Sequence, residues 1–252
     1  MANLITFNSF RRGAGKSSLL SNLAALLVKD GLRVLMLDTD YQAPSLHYFF
    51  GLSEDEIPFT LNDYLAGKCS LEQVTHDLTS SLKVNTTGHL MLAPASTKTS
   101  DILAMLRNPY DFTRFEEALN QLVANYQADV ALIDTTAGLN EETLVSIALA
   151  NTLVVLLRPS QPDYQGTAVT IEVAQNLNVP RIFLALNDSP PSLDLASAQA
   201  ELEKTYQREV LGIIPHSDDL LSLASARLFA SSFPHHPLIQ TFETMKNRLL
   251  AA

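Results

Sequence analysis

The sequence predicts an α/β fold, a doubly wound, mostly parallel β-sheet flanked by helices. Three observations predict it. Unbroken apolar runs at residues 34–37, 130–133 and 153–157 read as strands buried on both faces. Between them lie stretches with apolar residues at helical spacing, such as Leu19, Leu20, Leu23, Ala24 and Leu27. Two of the runs end in aspartate, and open α/β sheets hold their ligands at the carboxyl ends of strands.

The bulk numbers narrow the class further. A chain of 252 residues is long enough for one α/β domain with a large core, so residues 1–252 read as a single domain. Apolar residues at 46% and charged residues at 17% exclude a disordered chain. The net charge of −10 disfavours non-specific DNA binding, which depends on neutralising phosphates. Cys69 is the only cysteine, which excludes an intrachain disulfide and a cysteine-rich metal site. The sequence enters an apolar run at once, without a signal-peptide pattern, and contains no eighteen-residue apolar stretch; the expected location is the cytoplasm.

Taken in order, the chain opens on a strand at residues 4–7 and reaches Phe10-Arg11-Arg12-Gly13-Ala14-Gly15-Lys16-Ser17-Ser18 before the first helix. Strand, glycine loop and helix form the setting of a phosphate-binding loop. Gly13 and Gly15 permit a tight turn that points successive backbone N–H groups inward, and the helix beginning near Lys16 adds its positive end. Lys16 would reach the β- and γ-phosphates, and the Ser17 hydroxyl would be a Mg²⁺ ligand. Arg12, Ala14 and Ser18 complete the expected nucleotide-binding set. Phe10 stands where the pattern GxxxxGK[ST] has glycine. The plainer alternative is a glycine loop followed by a surface lysine.

At these residues the chain resembles the MinD/ParA family of deviant Walker A P-loop ATPases, whose loop reads KGGxGK[ST]. Arg11 falls on the family's signature lysine and Arg12 on a glycine. In that family the signature lysine reaches the partner's phosphates across a nucleotide-sandwich dimer. Arginine, a permanently charged fork of donors, can serve phosphate oxygens in the same place, so Arg11 is a candidate catalytic residue acting in trans. The alternative is that Arg11 and Arg12 are solvated loop charges.

Gly31 ends the first helix, and the strand at 34–37 runs into Asp38-Thr39-Asp40-Tyr41-Gln42. The segment is similar to the family's first switch, DxDPQ, with Tyr41 in place of proline. By that resemblance Asp40 would orient the attacking water and Asp38 would hold a water on Mg²⁺. Read from residue type alone, the aspartates could equally cap a helix. Residues 44–88 are a polar insertion with short helical pieces, and residues 60–67 look like the corresponding segment of the MinD branch. A strand at 89–93 and helices at 101–106 and 112–126 follow.

Residues 130–134 form a buried strand with an acidic tip, in the manner of a Walker B segment, so Asp134 would bind Mg²⁺ through water. Thr135-Thr136-Ala137-Gly138-Leu139 resembles the family's second switch, DTPAGL, with Thr136 for proline. The strand at 152–157 leads to Arg158, for which a salt bridge to a neighbouring helix is favoured over a phosphate contact. Residues 165–167 open the next helix. A strand at 182–186 ends at Asn187, which by resemblance would read the adenine edge, although Asp188 stands where many relatives are basic. Residues 210–215 look like the last strand, with Pro215 near the base. Leu238, Phe242, Met245 and Leu249 form an apolar stripe on a closing helix. With only Lys246 and Arg248 nearby, that helix is expected to dock on the core rather than on a membrane.

The resemblance implies an ATP- and Mg²⁺-dependent homodimer that hydrolyses ATP slowly, answers to an activating protein partner, and positions a cellular cargo or division component. A nucleotide-binding scaffold or adaptor with negligible hydrolysis is the second reading. A small-molecule phosphotransferase on the same fold would need an acceptor pocket, for which the sequence gives no signature.

Overall fold

The computed structural model describes residues 2–107 and 111–251. Its strands, β1 (Asn3–Asn8), β2 (Arg33–Thr39), β3 (His76–Asp77), β4 (His89–Ala93), β5 (Val130–Thr135), β6 (Thr152–Leu157), β7 (Arg181–Ser189) and β8 (Glu209–Pro215), form one sheet. Its order is β3-β4-β2-β5-β1-β6-β7-β8. Every pairing is parallel except that of β3 with β4, so the sheet is mostly parallel, as the apolar runs predict.

Helices cover both faces. The chain leaves β1 for α1 (Lys16–Lys29), and after β2 makes the short helices α2 (Leu46–Phe49) and α3 (Leu61–Leu65). Helices α4 (Thr99–Arg107) and α5 (Phe112–Asn125) precede β5, and α6 (Glu141–Ala148) follows it. Helix α7 (Gln161–Asn176) joins β6 to β7, α8 (Leu195–Tyr206) joins β7 to β8, and α9 (Asp218–Ser222), α10 (Phe229–Ser232) and α11 (Pro237–Leu250) close the fold.

Alternation along each strand divides the core. Ile5, Phe7, Val34, Met36, Leu132, Val154 and Phe183 pack with α1 and α11 on one face. On the other, Leu35, Leu37, Ala131 and Ile133 pack with α5, while Leu153, Val155, Leu184 and Leu186 pack with α7 and α8. The stripe on α11 lies in the first of these layers: Leu238, Phe242, Met245 and Leu249 are all buried. Lys246, on the same helix, is buried and paired with Asp30 and Glu243, tying α11 to the end of α1. Close approach is possible because Gly212 has no side chain; a Cβ there would lie 2.7 Å from Met245 Cγ. Among the described residues no helix is long and apolar enough to cross a membrane.

Two elements differ from the sequence expectation. Helix α7 begins at Gln161 instead of near Gln165, because Ser160 caps it, its side chain accepting from the Asp163 N–H, and Pro162 suits the first turn. The insertion at 44–88 contains β3, whose antiparallel pairing extends the sheet. Two residues carry no periodicity by which a sequence could announce them.

Candidate functional site

Asn8, Thr39 and Thr135, the last residues of β1, β2 and β5, lie side by side and replace the apolar core with a polar seam. The Thr135 hydroxyl donates to the Phe7 carbonyl at 2.8 Å and the Thr39 hydroxyl to that of Asp134 at 2.8 Å. The Asn8 amide donates to Thr135 Oγ1 at 3.1 Å and to the Gly138 carbonyl at 3.2 Å. These bonds fix the three strand ends relative to the loops beyond, although the Asn8 Oδ1 is buried without a hydrogen-bond partner.

The loop between β1 and α1 turns through Gly13 at φ 78° and Gly15 at φ 94°, left-handed conformations that favour glycine. Lys16, the first residue of α1, is buried and donates to Ser9 Oγ at 3.4 Å. Ser17 donates to Asp134 Oδ2 at 2.5 Å. The other oxygen of Asp134, Oδ1, is buried without a hydrogen-bond partner. Burial pushes the Asp134 carboxyl up to about 6, against the opposing pull of Lys16 and the Ser17 hydroxyl.

Asp38 is fully buried and busy. Its Oδ1 accepts from Asp40 N at 3.1 Å, and its Oδ2 from Ser45 N at 2.9 Å and Leu46 N at 3.1 Å. It thereby holds the start of α2, the capping use that the residue types alone allow. Burial first, and the nearby Asp134 carboxylate second, push Asp38 well above the ordinary carboxylate range. Asp40 accepts from Ala43 N at 3.1 Å and faces the cavity described next.

Two adjoining cavities share Gly13, Gly15, Ser18 and Phe49 as a common wall. One, of about 220 Å³, is lined by Arg12, Lys16, Ser17 and Asp40 and contains the phosphate-loop chemistry. The second, of about 360 Å³, is lined by Asn187, Asp188, Pro215, His216, Arg158 and Arg227. Together they line both sides of the glycine loop. The residues suit Mg²⁺ arriving with phosphates: a hydroxyl and an orphaned carboxylate oxygen lie adjacent, while among the described residues no three acidic or imidazole groups converge to hold a metal by themselves.

The structure thus brings together Gly13, Ala14, Gly15, Lys16, Ser17, Ser18, Asp38, Asp40 and Asp134. Asn187 and Pro215 line the second cavity, but the Asn187 amide is also used structurally, donating to the Ala14 carbonyl at 2.8 Å. Arg12 is exposed and donates to Gln42 Oε1 at 2.5 Å, linking the loop to the segment after β2. Arg11 is exposed and lines neither cavity. Arg158 stands 3.9 Å from Asp163 in α7, the salt bridge expected, and also borders the second cavity.

Sequence reasoning missed Asn8 and Ser9, whose polar pair directly after an apolar strand was the available signal. It also missed His216, which faces Asp188 at 2.6 Å and Asp218 at 3.3 Å. Those bonds, Asp188's foremost, raise the imidazole above its ordinary value. No local pattern links residues 188 and 216.

Comparison with known proteins agrees with this geometry. The family described as CobQ/CobB/MinD/ParA nucleotide binding domain matches residues 5–228. An uncharacterised ATP-binding protein of Methanocaldococcus jannaschii is 25% identical over 253 residues, covering 100% of this chain and 89% of its own. The septum site-determining protein MinD of Thermotoga maritima is 24% identical over 255 residues, covering 99% of this chain and 88% of its own. Among solved structures, the septum site-determining protein MinD of Pyrococcus horikoshii, complexed with Mg-ADP, matches with a TM-score of 0.80 at 20% identity, covering 100% of this chain and 98% of its own.

Proposed function

We propose, from the premise that the chain belongs to the CobQ/CobB/MinD/ParA family of nucleotide-binding domains, that it is a MinD/ParA-like ATPase acting as a switch. It binds ATP with Mg²⁺, pairs with a second copy of itself, hydrolyses the γ-phosphate slowly under the influence of an activating partner, and so positions a cellular cargo or division component. The observation that carries this reading is the meeting of Lys16, Ser17 and Asp40 at one cavity, with Asp134 behind it accepting from the Ser17 hydroxyl, while Arg11 stands outside.

Each residue has a task set by its surroundings. Backbone N–H groups of residues 13–17 and the Lys16 ammonium hold the β- and γ-phosphates. Ser17, directly, and Asp134 and Asp38, through water, would hold Mg²⁺, which supplies neutralisation of phosphate charge when bound. Asp40, at the cavity wall, positions the attacking water and receives its proton. Arg11, too exposed to serve its own cavity, contributes positive charge to the γ-phosphate of the second copy, as arginine fingers do. Asn187 supports the loop through Ala14 and, with Pro215, borders the base. Catalysis is then mainly positioning and charge stabilisation.

The test is the solution mass of the Asp40→Ala protein with ADP and with ATP·Mg²⁺. A shift from monomer to dimer with ATP alone supports the switch. A monomer with ATP demonstrably bound overturns it in favour of a scaffold or adaptor, and a dimer with both nucleotides removes nucleotide as the assembly signal.

A further inference from the structure

Two residues break their local rules. Phe10 occupies the position at which the phosphate-loop pattern has glycine. Gly166 lies in the second turn of α7, where glycine is a poor helix former and alanine the best.

The two exceptions explain each other. A Cβ at Gly166 would lie 2.0 Å from both Cγ and Cδ1 of Phe10 and 2.6 Å from its Cβ. The ring therefore fills the space in which a side chain on α7 would stand. The rest of the ring faces outward, Phe10 being 39% exposed. On its other side this limb of the loop is tied to the turn after β5. Gly138 N donates to the Ser9 carbonyl at 2.8 Å, and the Asn8 amide donates to the Gly138 carbonyl at 3.2 Å. Residues 8–10 are bracketed between that turn and α7.

We infer that Phe10 and Gly166 form a knob and cradle that positions the outer limb of the phosphate loop on α7. The inference rests on the reading of residues 10–17 as a phosphate loop, and it makes Phe10 a positioning residue. A glycine at position 10 would leave the limb free to sample many backbone conformations, whereas the seated ring restricts them before nucleotide arrives. Pre-ordering of this kind appears as affinity, because less conformational freedom is lost on binding. It also places Arg11, the next residue, outside the chain's own cavity and toward solvent.

The test is a double-mutant cycle on the full chain using Gly166→Ala, Phe10→Ala and the two combined, with Phe10→Tyr as the conservative control. Hydrogen exchange of amides 9–15 is measured without nucleotide, and the Kd for ATP·Mg²⁺ by calorimetry. Alanine favours the helix, so harm from Gly166→Ala comes from the displaced ring. Each single alanine variant should speed loop exchange and raise Kd about tenfold, while the double variant is no worse than Phe10→Ala and Phe10→Tyr stays near wild type. Should Gly166→Ala fail to fold, folding of the double variant is the same rescue. Wild-type loop exchange in Gly166→Ala, or penalties that multiply in the double variant, overturns the inference. Exchange needs no nucleotide, so a wild-type chain that fails to bind ATP defeats the phosphate-loop reading while the cycle still decides the anchor.

Discussion

Replacing Asp134 by asparagine should make the nucleotide-free protein more stable, although it removes a group assigned to Mg²⁺. In the folded chain Asp134 is buried, one oxygen has no partner, and the carboxyl is pushed from an ordinary 3.8 up to about 6. The sign follows by linkage. Between 3.8 and about 6 the folded protein keeps the proton that the unfolded chain has released, so stability falls as pH rises through this window. At ~1.4 kcal/mol per pH unit the full loss is about 3 kcal/mol, complete above pH ~6.5. Asparagine cannot ionise, and its carbonyl can still accept from the Ser17 hydroxyl.

The variant should therefore match wild type near pH 4 and exceed it by about 2–3 kcal/mol at pH 8, equivalent to roughly 4–12 °C in Tm for a chain of this size. Calorimetric melts at pH 4.5, 6 and 8 in the presence of a chelator read this directly. ATP·Mg²⁺ at about a thousand times its Kd should then reverse the order, since it adds about 4.1 kcal/mol to a protein that binds it. Equal stability at pH 8, or a gap that does not change with pH, would refute the assignment of Asp134 as a buried carboxylate awaiting a cation.

Three other outcomes are expected. Lys16→Ala should abolish ATP binding by calorimetry, and unchanged affinity would defeat the phosphate-loop assignment. Arg11→Ala should leave the affinity of the monomer for ATP within about twofold while reducing hydrolysis by ~10³ or more, as loss of an arginine finger does; unaltered turnover returns Arg11 to the solvated surface. Lys246→Met should cost about 2 kcal/mol in urea unfolding, less than the 3–5 of a fully buried pair because Asp30 remains half-exposed to water. A change near zero would mean that the apolar stripe alone docks α11.

What could be read from the sequence follows the range of the interactions. The run at 130–133 announces a strand because a parallel strand covered on both faces must be apolar at every position, and Asp134 stands out as the point where that stops. The loop at 10–18 was legible because its geometry depends on glycines and on Lys16, all local. The Asn187 clamp on Ala14 was not, since its partners are far apart in sequence and either residue alone is ordinary. The same holds for Phe10 and Gly166, each of which looks like a defect until the other is beside it. Helix α7 starts four residues before Gln165 because Ser160 and Pro162 supply its cap and first turn.

The three aspartates near the strand ends are chemically alike but differently employed. Asp38 receives three backbone N–H groups, so its carboxyl oxygens shape residues 40–46 and with them the position of Asp40. Asp134 receives only the Ser17 hydroxyl and keeps an oxygen without a partner. Lys16 is the buried cation that moderates Asp134. Phosphates entering the loop would draw the Lys16 ammonium toward themselves and leave the carboxylates less compensated. A cation arriving with those phosphates restores the balance at Asp134, whereas either one alone leaves charge unpaired in a buried place. Nucleotide and Mg²⁺ should therefore bind as a unit. Because Asp38 lies beside Asp134 and holds the backbone of the segment after β2, the electrostatic cost of losing that unit should fall on residues 40–46.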